Sequence, residues 1–242
     1  MRVFALLYGL ICHSLFAVAV GLMMWSLYHG MASGWGRLDG DAAVAGNFLL
    51  LVQFPLIHSF LLSQRGRALL ARLIPGGCGK ELSSTTYVIV ACLQLILVFA
   101  AWSPSGTVWY RAEGSARLLL TLSFAGAWVL LLRSMYDAGL ALQTGALGWT
   151  AVFAGRKPVY PVFCPLGLFR YCRQPIYASF ALILWTGPVW TPDQLFIASA
   201  WTIYALAGPM FKEKRFERFH GESFREYQRQ VPYWFPSFRL KR

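Results

Sequence analysis

Two short stretches in the last third of the chain combine charged side chains, tyrosines and a proline at spacings that suit a ligand site. The first stretch, residues 167–177, reads Gly-Leu-Phe-Arg-Tyr-Cys-Arg-Gln-Pro-Ile-Tyr. Gln174 precedes Pro175, which directs its backbone away from the helical region, while a proline suits the first turn of a following helix. Four side chains converge on this break and could hold an anionic small molecule: Arg170, Tyr171, Arg173 and Tyr177. The same residues also fit a basic membrane anchor with interfacial tyrosines.

The second stretch, residues 212–232, places two carboxylates on one face of a predicted helix. Glu213 and Glu217 are spaced i, i+4, and Gly221 is a plausible helix end. An apolar side is formed by Phe216, Phe219, Phe224 and Tyr227. Most of its charges fit a basic amphipathic helix lying on anionic lipid. Glu213 is the exception, because a short hairpin would return it from the membrane to the break at Gln174.

The elements that must position both stretches are membrane-spanning helices. Of the 242 residues, 57% are hydrophobic and 13% charged, against about 25% charged residues in a soluble domain. Crossing the hydrocarbon takes about 20 helical residues. Six apolar segments approach or reach that length, at residues 3–28, 43–62, 85–102, 116–132, 176–190 and 194–211. The first continues past Met24 without a persuasive small-residue cleavage site, so we interpret it as a retained span and not a signal peptide. The predicted fold is all-α and polytopic, with an amphipathic C-terminal helix.

The formal charge of +12 is distributed as in a membrane protein. Basic residues concentrate in the segments after spans two, four and six, whereas the other connecting segments have little excess positive charge. The positive-inside rule therefore predicts both termini on the cytoplasmic side of a bacterial inner membrane. The partner expected from this charge is membrane lipid, and nucleic acid is excluded.

The predicted organisation is a single membrane domain, residues 1–242. It contains four N-terminal spans (1–132), a loop (133–175), a hairpin (176–211) and a basic tail (212–242). A long structured loop on the cytoplasmic side is where a membrane enzyme would place a site. A solvated connector is the alternative.

Together the two stretches resemble the C-terminal half of the isoprenylcysteine carboxyl methyltransferase superfamily, in its methanethiol S-methyltransferase-like branch. The superfamily pattern is Gly-x-Tyr-x-x-x-Arg-His-Pro-x-Tyr, a helical hairpin, then Glu-Glu-x-x-Leu-x-x-x-Phe-Gly-x-x-Tyr-x-x-Tyr and Val-Pro. Residues 167–177 and 212–232 match it in order, spacing and most residue types. Residues 53–59 with Thr86 and Tyr87 resemble the N-terminal half of the branch more weakly.

The resemblance implies an S-adenosylmethionine-dependent methyltransferase with a small or lipophilic acceptor: a thiol, an isoprenylcysteine-like group or a lipid. The implied cofactor-binding residues are Phe169, Arg173, Gln174, Pro175, Tyr177, Lys212 and Glu213, with Arg173 and Glu213 as the implied catalytic residues. Phe169 replaces a family tyrosine, Gln174 a histidine, and Lys212 the first glutamate. That glutamate accepts the cofactor's amine in the family, so a lysine there repels the amine unless Glu213 takes over.

Two other interpretations stay open. One is a catalytically degenerate member of the superfamily that acts as a binding or structural membrane subunit. The other is a haem protein, because His13 and His58 lie within the first two spans and related membrane proteins of the zeta-carotene isomerase and denitrification-associated type bind haem through histidine. A single histidine in a span more commonly packs as a neutral hydrogen-bonding residue, so haem is the less favoured alternative. The five cysteines show no CxxC spacing, and we expect no metal site.

Overall fold

The computed structural model describes residues 1–74, 77–160 and 164–236, and these fold almost entirely into helices. The α-helices are α1 (Arg2–Tyr28), α2 (Gly40–Leu61), α3 (Gln64–Arg72), α4 (Gly79–Ala101), α5 (Gly114–Asp137), α6 (Leu140–Gln143), α7 (Ala146–Phe153), α8 (Pro175–Trp185), α9 (Pro192–His220) and α10 (Glu222–Gln230). A 3₁₀ helix covers Gly167–Arg170, and two short strands, β1 (Tyr110–Arg111) and β2 (Val189–Trp190), pair antiparallel. The predicted all-α class is confirmed.

Five helices, α1, α2, α4, α5 and α9, are long and apolar enough to cross a membrane. The shortest, α2, has 22 residues and measures about 33 Å at 1.5 Å per residue. Many large apolar side chains point outward from these helices, among them Leu49, Leu119, Val129 and Ile203, as expected of a surface that faces lipid. The chain is an integral, multi-pass membrane protein.

The fifth predicted span, residues 176–190, is wrong in its extent. α8 has 11 residues, about 17 Å, and is too short to cross the hydrocarbon alone. It ends at Trp185, and the chain continues without helix to β2. The amide Nε2 of Gln194 donates to the free carbonyl of Leu184 at 2.7 Å, which satisfies the end of the helix inside the protein.

The sixth span and the predicted tail helix form one element. α9 continues without interruption through Lys212 and Glu213, so the expectation that a new helix starts at Lys212 is wrong. The predicted stop at Gly221 is confirmed, since this residue has φ +56° and lies between α9 and α10. The amphipathic helix α10 turns its apolar side toward the protein and buries Phe224 and Tyr227.

One end of the helix bundle gathers the connections after α1, α4 and α8. The backbone N–H of Gly36 donates to the carbonyl of Trp102 at 2.9 Å. The indole of Trp102 donates to Asp193 at 3.0 Å, and the hydroxyl of Thr191 donates to the carbonyl of Gly30 at 2.5 Å. These are the three connections that the sequence predicts on one side of the membrane.

The other end carries α7, the break before α8 and the end of α10. Thr85 donates to the carbonyl of Gly145 at 2.7 Å, and the Trp149 ring of α7 lies against Gly9 near the start of α1. The N–H of Arg173 donates to the carbonyl of Pro232 at 3.0 Å. The start of α1 and the end of α10 therefore lie at the same end of the bundle.

Because basic residues are retained on the cytoplasmic side, we expect labels at Arg67 and Arg156 to be accessible from the cytoplasm. Labels at Asp39, Gly106 and Asp193 should be accessible only from the opposite side. Single cysteines introduced at these positions and modified by a membrane-impermeant reagent in intact and opened cells measure this directly.

The exposed native Cys164 must be replaced by serine first, because it reacts from the same side as Arg156. Arg239, which the sequence also predicts on the cytoplasmic side, lies outside the described residues. Opposite accessibility of Arg67 and Arg156 would contradict both the topology and the site built on it.

Candidate functional site

The centre of the candidate site is the buried side chain of Gln174, which is 1% exposed. Its Nε2 donates to the Glu213 carboxylate at 2.6 Å, and its Oε1 accepts a hydrogen bond from the Lys212 ammonium at 2.6 Å. Gln174 immediately precedes α8, and Pro175 is the first residue of that helix. The break predicted from sequence thus places an amide against the last third of α9.

The Glu213 carboxylate is held by side chains from two other segments. It forms an ion pair with Arg173, whose Nε lies 3.1 Å from Oε1. Gln228 of α10 donates to Oε2 at 3.0 Å. With Gln174, three side chains therefore stabilise a carboxylate that is 7% exposed, and a buried charge needs such partners.

The Lys212 ammonium lies in an aromatic cage. Its Nζ is 5.4 Å from the centre of the Tyr177 ring and 5.9 Å from that of Phe216, within the range of a cation–π interaction. Together with the amide oxygen of Gln174, these rings define a position that suits a cation. We call this set of three partners the cation cage.

Arg173 connects the break to the C-terminal helix. Its Nη1 donates to the carbonyl of Gln228 at 2.8 Å, and its guanidinium carbon lies 5.4 Å from the centre of the Tyr233 ring. A role for Arg173 in holding a cofactor carboxylate stays a prediction, whereas its contacts place it as the support of Glu213.

The structure brings together six of the predicted site residues, namely Arg173, Gln174, Pro175, Tyr177, Lys212 and Glu213. Phe169 lies in the adjoining 3₁₀ helix, where its carbonyl accepts a hydrogen bond from Tyr227 at 2.7 Å. Arg170 is exposed and bonds locally to the carbonyl of Pro165, so it does not join the cluster. The roles of all these residues in binding stay predictions.

Sequence reasoning missed Gln228, which donates to both Glu213 and Glu217. Nothing in the sequence distinguishes this glutamine from its neighbours on a surface helix. Its contribution depends on how α10 packs against α9, with Phe216 beside Phe224 and Tyr227. That packing follows from the turn at Gly221.

The two intramembrane histidines do not meet. Trp149 donates to His13 at 3.1 Å, and the Tyr87 hydroxyl hydrogen-bonds His58 at 2.5 Å. The backbone N–H of Trp149 donates to Thr85 on α4. Thr85 and Tyr87 are two positions apart, so their side chains point about 200° apart around that helix. The partners of His13 and His58 therefore lie on different sides of α4. Within the described ranges, no group of three or more histidine, cysteine or acidic side chains could hold a metal ion.

The groups at this site fit the charges of S-adenosylmethionine. That molecule carries an ammonium and a sulfonium, and the site offers a buried carboxylate together with rings that already surround an ammonium. Cations bind favourably to both kinds of group. The lysine ammonium itself is the feature that opposes binding.

Several curated proteins are similar to this chain over most of its length. It is 30% identical over 238 residues to methanethiol S-methyltransferase 1 of Bradyrhizobium diazoefficiens, covering 96% of this chain and 82% of that protein. It is 31% identical over 241 residues to methanethiol S-methyltransferase of Crocosphaera subtropica, covering 97% and 92%. A methanethiol S-methyltransferase of Mycobacterium tuberculosis is 25% identical over 250 residues, with 97% of each protein covered. No family model matches the chain, and no solved structure matches it significantly.

Proposed function

This chain belongs to the methanethiol S-methyltransferase family, and from that premise we propose that it methylates a small thiol with S-adenosylmethionine. The reaction is assigned to the cytoplasmic face of a bacterial inner membrane, in agreement with the loop charges. The observation that carries the proposal is the buried Glu213 carboxylate beside the cation cage, at the break before α8. The names of the relatives support a thiol over the isoprenylcysteine-like and lipid acceptors.

S-adenosylmethionine supplies an already activated methyl group when it is bound, so the protein has to bind, align and exclude water. Glu213 receives the amine, and Arg173 and Gln228 fix the orientation of its carboxylate. The rings of Tyr177 and Phe216 offer their faces to positive charge. The backbone N–H of Arg173 donates to the carbonyl of Pro232, which ties the break to the segment after α10.

Lys212 sets the condition under which this works. Its ammonium occupies the cation cage and donates to Gln174, so it competes with any cationic ligand. Because the lysine stem is long and flexible, the ammonium can move out to water when the cofactor enters. Cofactor affinity is then lowered by the energy of the lysine's own contacts.

The proposal is tested with the full chain purified in detergent. Calorimetry should detect saturable binding of S-adenosylmethionine, and gas chromatography should detect dimethyl sulfide when methanethiol is added as well. Omitting either compound provides the control, since the product requires both. Binding without product would retain the cofactor and reject the thiol acceptor, and absence of both would contradict the proposal.

A second candidate function is a non-catalytic membrane subunit that retains the fold. The specific observation in its favour is that Glu213 already has three partners and that Lys212 occupies the cation cage. This candidate predicts that the wild-type protein does not bind S-adenosylmethionine and that removing the Lys212 charge does not restore binding.

A further inference from the structure

A second polar cluster lies beside the cation cage, between α2, α4, α8 and α9, at the end of the bundle that holds the break. Its members are His58, Ser59, Tyr87, Tyr177, Tyr204 and Arg215. Only Tyr177 belongs to the residues proposed above for the cofactor. Side chains able to donate, accept and carry charge are costly to bury in a membrane protein and commonly mark a functional site.

His58 is held in one orientation, and one of its two ring nitrogens has no hydrogen-bond partner among the described residues. Its Nε2 is hydrogen-bonded to the Tyr87 hydroxyl at 2.5 Å. The imidazole also lies against the Phe54 and Tyr87 rings, with ring centres 4.9 and 5.0 Å away. Its Nδ1 is buried and has no hydrogen-bond partner in the described part of the chain. Leaving a buried polar atom unpaired is unfavourable, so a bound molecule is the natural partner.

Arg215 supplies a half-buried positive charge, and no carboxylate in the described part of the chain forms an ion pair with it. Among the described residues, the five ion pairs do not include Arg215. Its electrostatic neighbours are the phenols of Tyr87, Tyr177 and Tyr204 and the guanidinium of Arg67, which has the same sign. A cation surrounded in this way suits an anionic partner.

The cluster and the cation cage share the Tyr177 side chain. The Lys212 ammonium lies over its ring, while its phenol interacts with Tyr87, Tyr204 and Arg215. A molecule held between His58 and Arg215 is therefore next to the position proposed for the cofactor. Among the described residues, the polar and charged groups around this position come from α2, α3, α4, α8 and α9. They are the six members of the cluster and Arg67 of α3, whose charge has the same sign as that of Arg215.

We propose that this cluster is the acceptor site, where a small thiol binds and loses its proton to His58. The inference rests on the proposed function. With its own proton on Nε2 and donated to the Tyr87 oxygen, His58 has a free lone pair on Nδ1. The S–H bond breaks, its electron pair stays on sulfur and the proton moves to Nδ1. Arg215 stabilises the thiolate, and Tyr87 is a positioning residue.

The remaining bonds balance without a further reactant. The thiolate sulfur forms a new bond to the donor's methyl carbon, and the electron pair of the broken bond stays on the donor's sulfur. The imidazolium then releases its proton to water. The cluster thus provides what a thiol needs before methylation, since the thiolate is the nucleophile.

The test compares His58→Gln with His13→Gln, a matched change of the other intramembrane histidine on the far side of α4. We expect His58→Gln to lower kcat/KM for methanethiol about 100-fold or more near neutral pH, the usual loss when a general base is removed. The loss should shrink as pH rises, because thiolate formed in solution bypasses the missing base. Affinity for S-adenosylmethionine should not change, and His13→Gln should behave as wild type.

A second measurement needs no methyl donor. Adding ethanethiol to the wild-type protein should give a thiolate signal in the ultraviolet difference spectrum, and His58→Gln should lose it. Tyr87→Phe removes one hydroxyl and should lower kcat about threefold to tenfold, the value of a single hydrogen bond. Its matched control is Tyr8→Phe, which removes the hydrogen bond from Tyr8 to Thr86, the residue that precedes Tyr87 on α4.

Each result decides between the two proposals. An inactive wild type that still gives the thiolate signal rejects the proposed function and keeps the acceptor site. An active wild type whose kcat/KM is unchanged by His58→Gln and Tyr87→Phe at every pH rejects the acceptor site. If His58→Gln also loses cofactor binding, the variant has not folded correctly. Tyr87→Phe and the wild-type thiolate signal then decide alone.

Discussion

Replacing Glu213 by glutamine is expected to weaken binding of S-adenosylmethionine at least about tenfold and to destabilise the protein. A hydrogen bond to a charged group contributes roughly 1.5–3 kcal/mol, and about 1.4 kcal/mol is tenfold in affinity. The substitution also leaves Arg173, whose side chain is 14% exposed, without its counter-charge. Breaking a buried pair from one side lowers the free energy of unfolding by about 3 kcal/mol. Calorimetry and thermal unfolding in detergent measure the two effects.

Glu217→Gln is the matched control for this substitution. Glu217 lies one turn further along α9 and accepts a hydrogen bond from the same Gln228 side chain at 2.9 Å. No described arginine or lysine forms an ion pair with it. The Glu217→Gln variant should therefore bind S-adenosylmethionine with the affinity of the wild type. Equal affinity for wild type and Glu213→Gln would remove Glu213 from the cofactor site.

Removing the charge of Lys212 is expected to have the largest effect in the opposite direction. Lys212→Met keeps an unbranched stem of similar length and leaves the cation cage without its ammonium, so affinity for S-adenosylmethionine should rise about tenfold or more. Lys212→Glu adds a carboxylate beside Glu213 and should raise it further. The same carboxylate repels Glu213 in the unliganded protein, so this variant should unfold at a lower temperature and gain more from added cofactor.

Lys214→Glu provides the same change of charge on the same helix, two positions away and exposed to solvent. Its effect should be small, since exposed charges are screened by water and salt. If neither Lys212 variant binds S-adenosylmethionine and the wild type does not either, the pocket is lost. The non-catalytic candidate would then replace the methyltransferase.

The long spans could be predicted because hydropathy reports directly on transfer into hydrocarbon. α8 could not be bounded in this way, since residues 176–190 are uncharged and mostly apolar but their backbone is helical only to Trp185. Pro188 disfavours a helical conformation at Gly187, and β2 then pairs with β1. Hydropathy measures whether a segment partitions into the membrane, and it does not report whether the backbone of that segment is helical.

The boundary between the last span and the tail was missed for a related reason. The charges that begin at Lys212 predict the start of a new helix, yet a change from apolar to charged residues does not interrupt backbone hydrogen bonding. The helix ends where a residue with positive φ is required, at Gly221. The consequence is that Lys212 and Glu213 are held rigidly by the same helix that crosses the membrane.

Within the candidate site, the two motifs predicted which residues would meet, because proline fixes the break and the hairpin returns α9 to it. The cluster around His58 was not predicted as a unit. Its members come from four helices, and the angle at which α2 and α4 pack against α9 decides which of their side chains face inward. No local spacing encodes that angle.

The amide of Gln174 bridges Lys212 and Glu213, so the chain's departures from the family pattern at positions 174 and 212 are physically linked. An amide has an acceptor end and a donor end, and here the acceptor end faces Lys212 and the donor end faces Glu213. The side chain therefore matches one cation and one anion side by side. A glutamate at position 212 would leave that acceptor end facing a carboxylate, whereas a histidine at position 174 offers N–H groups to both neighbours when protonated. The glutamine and the lysine are thus suited to each other, and a change at either position alters the hydrogen bonding of the other.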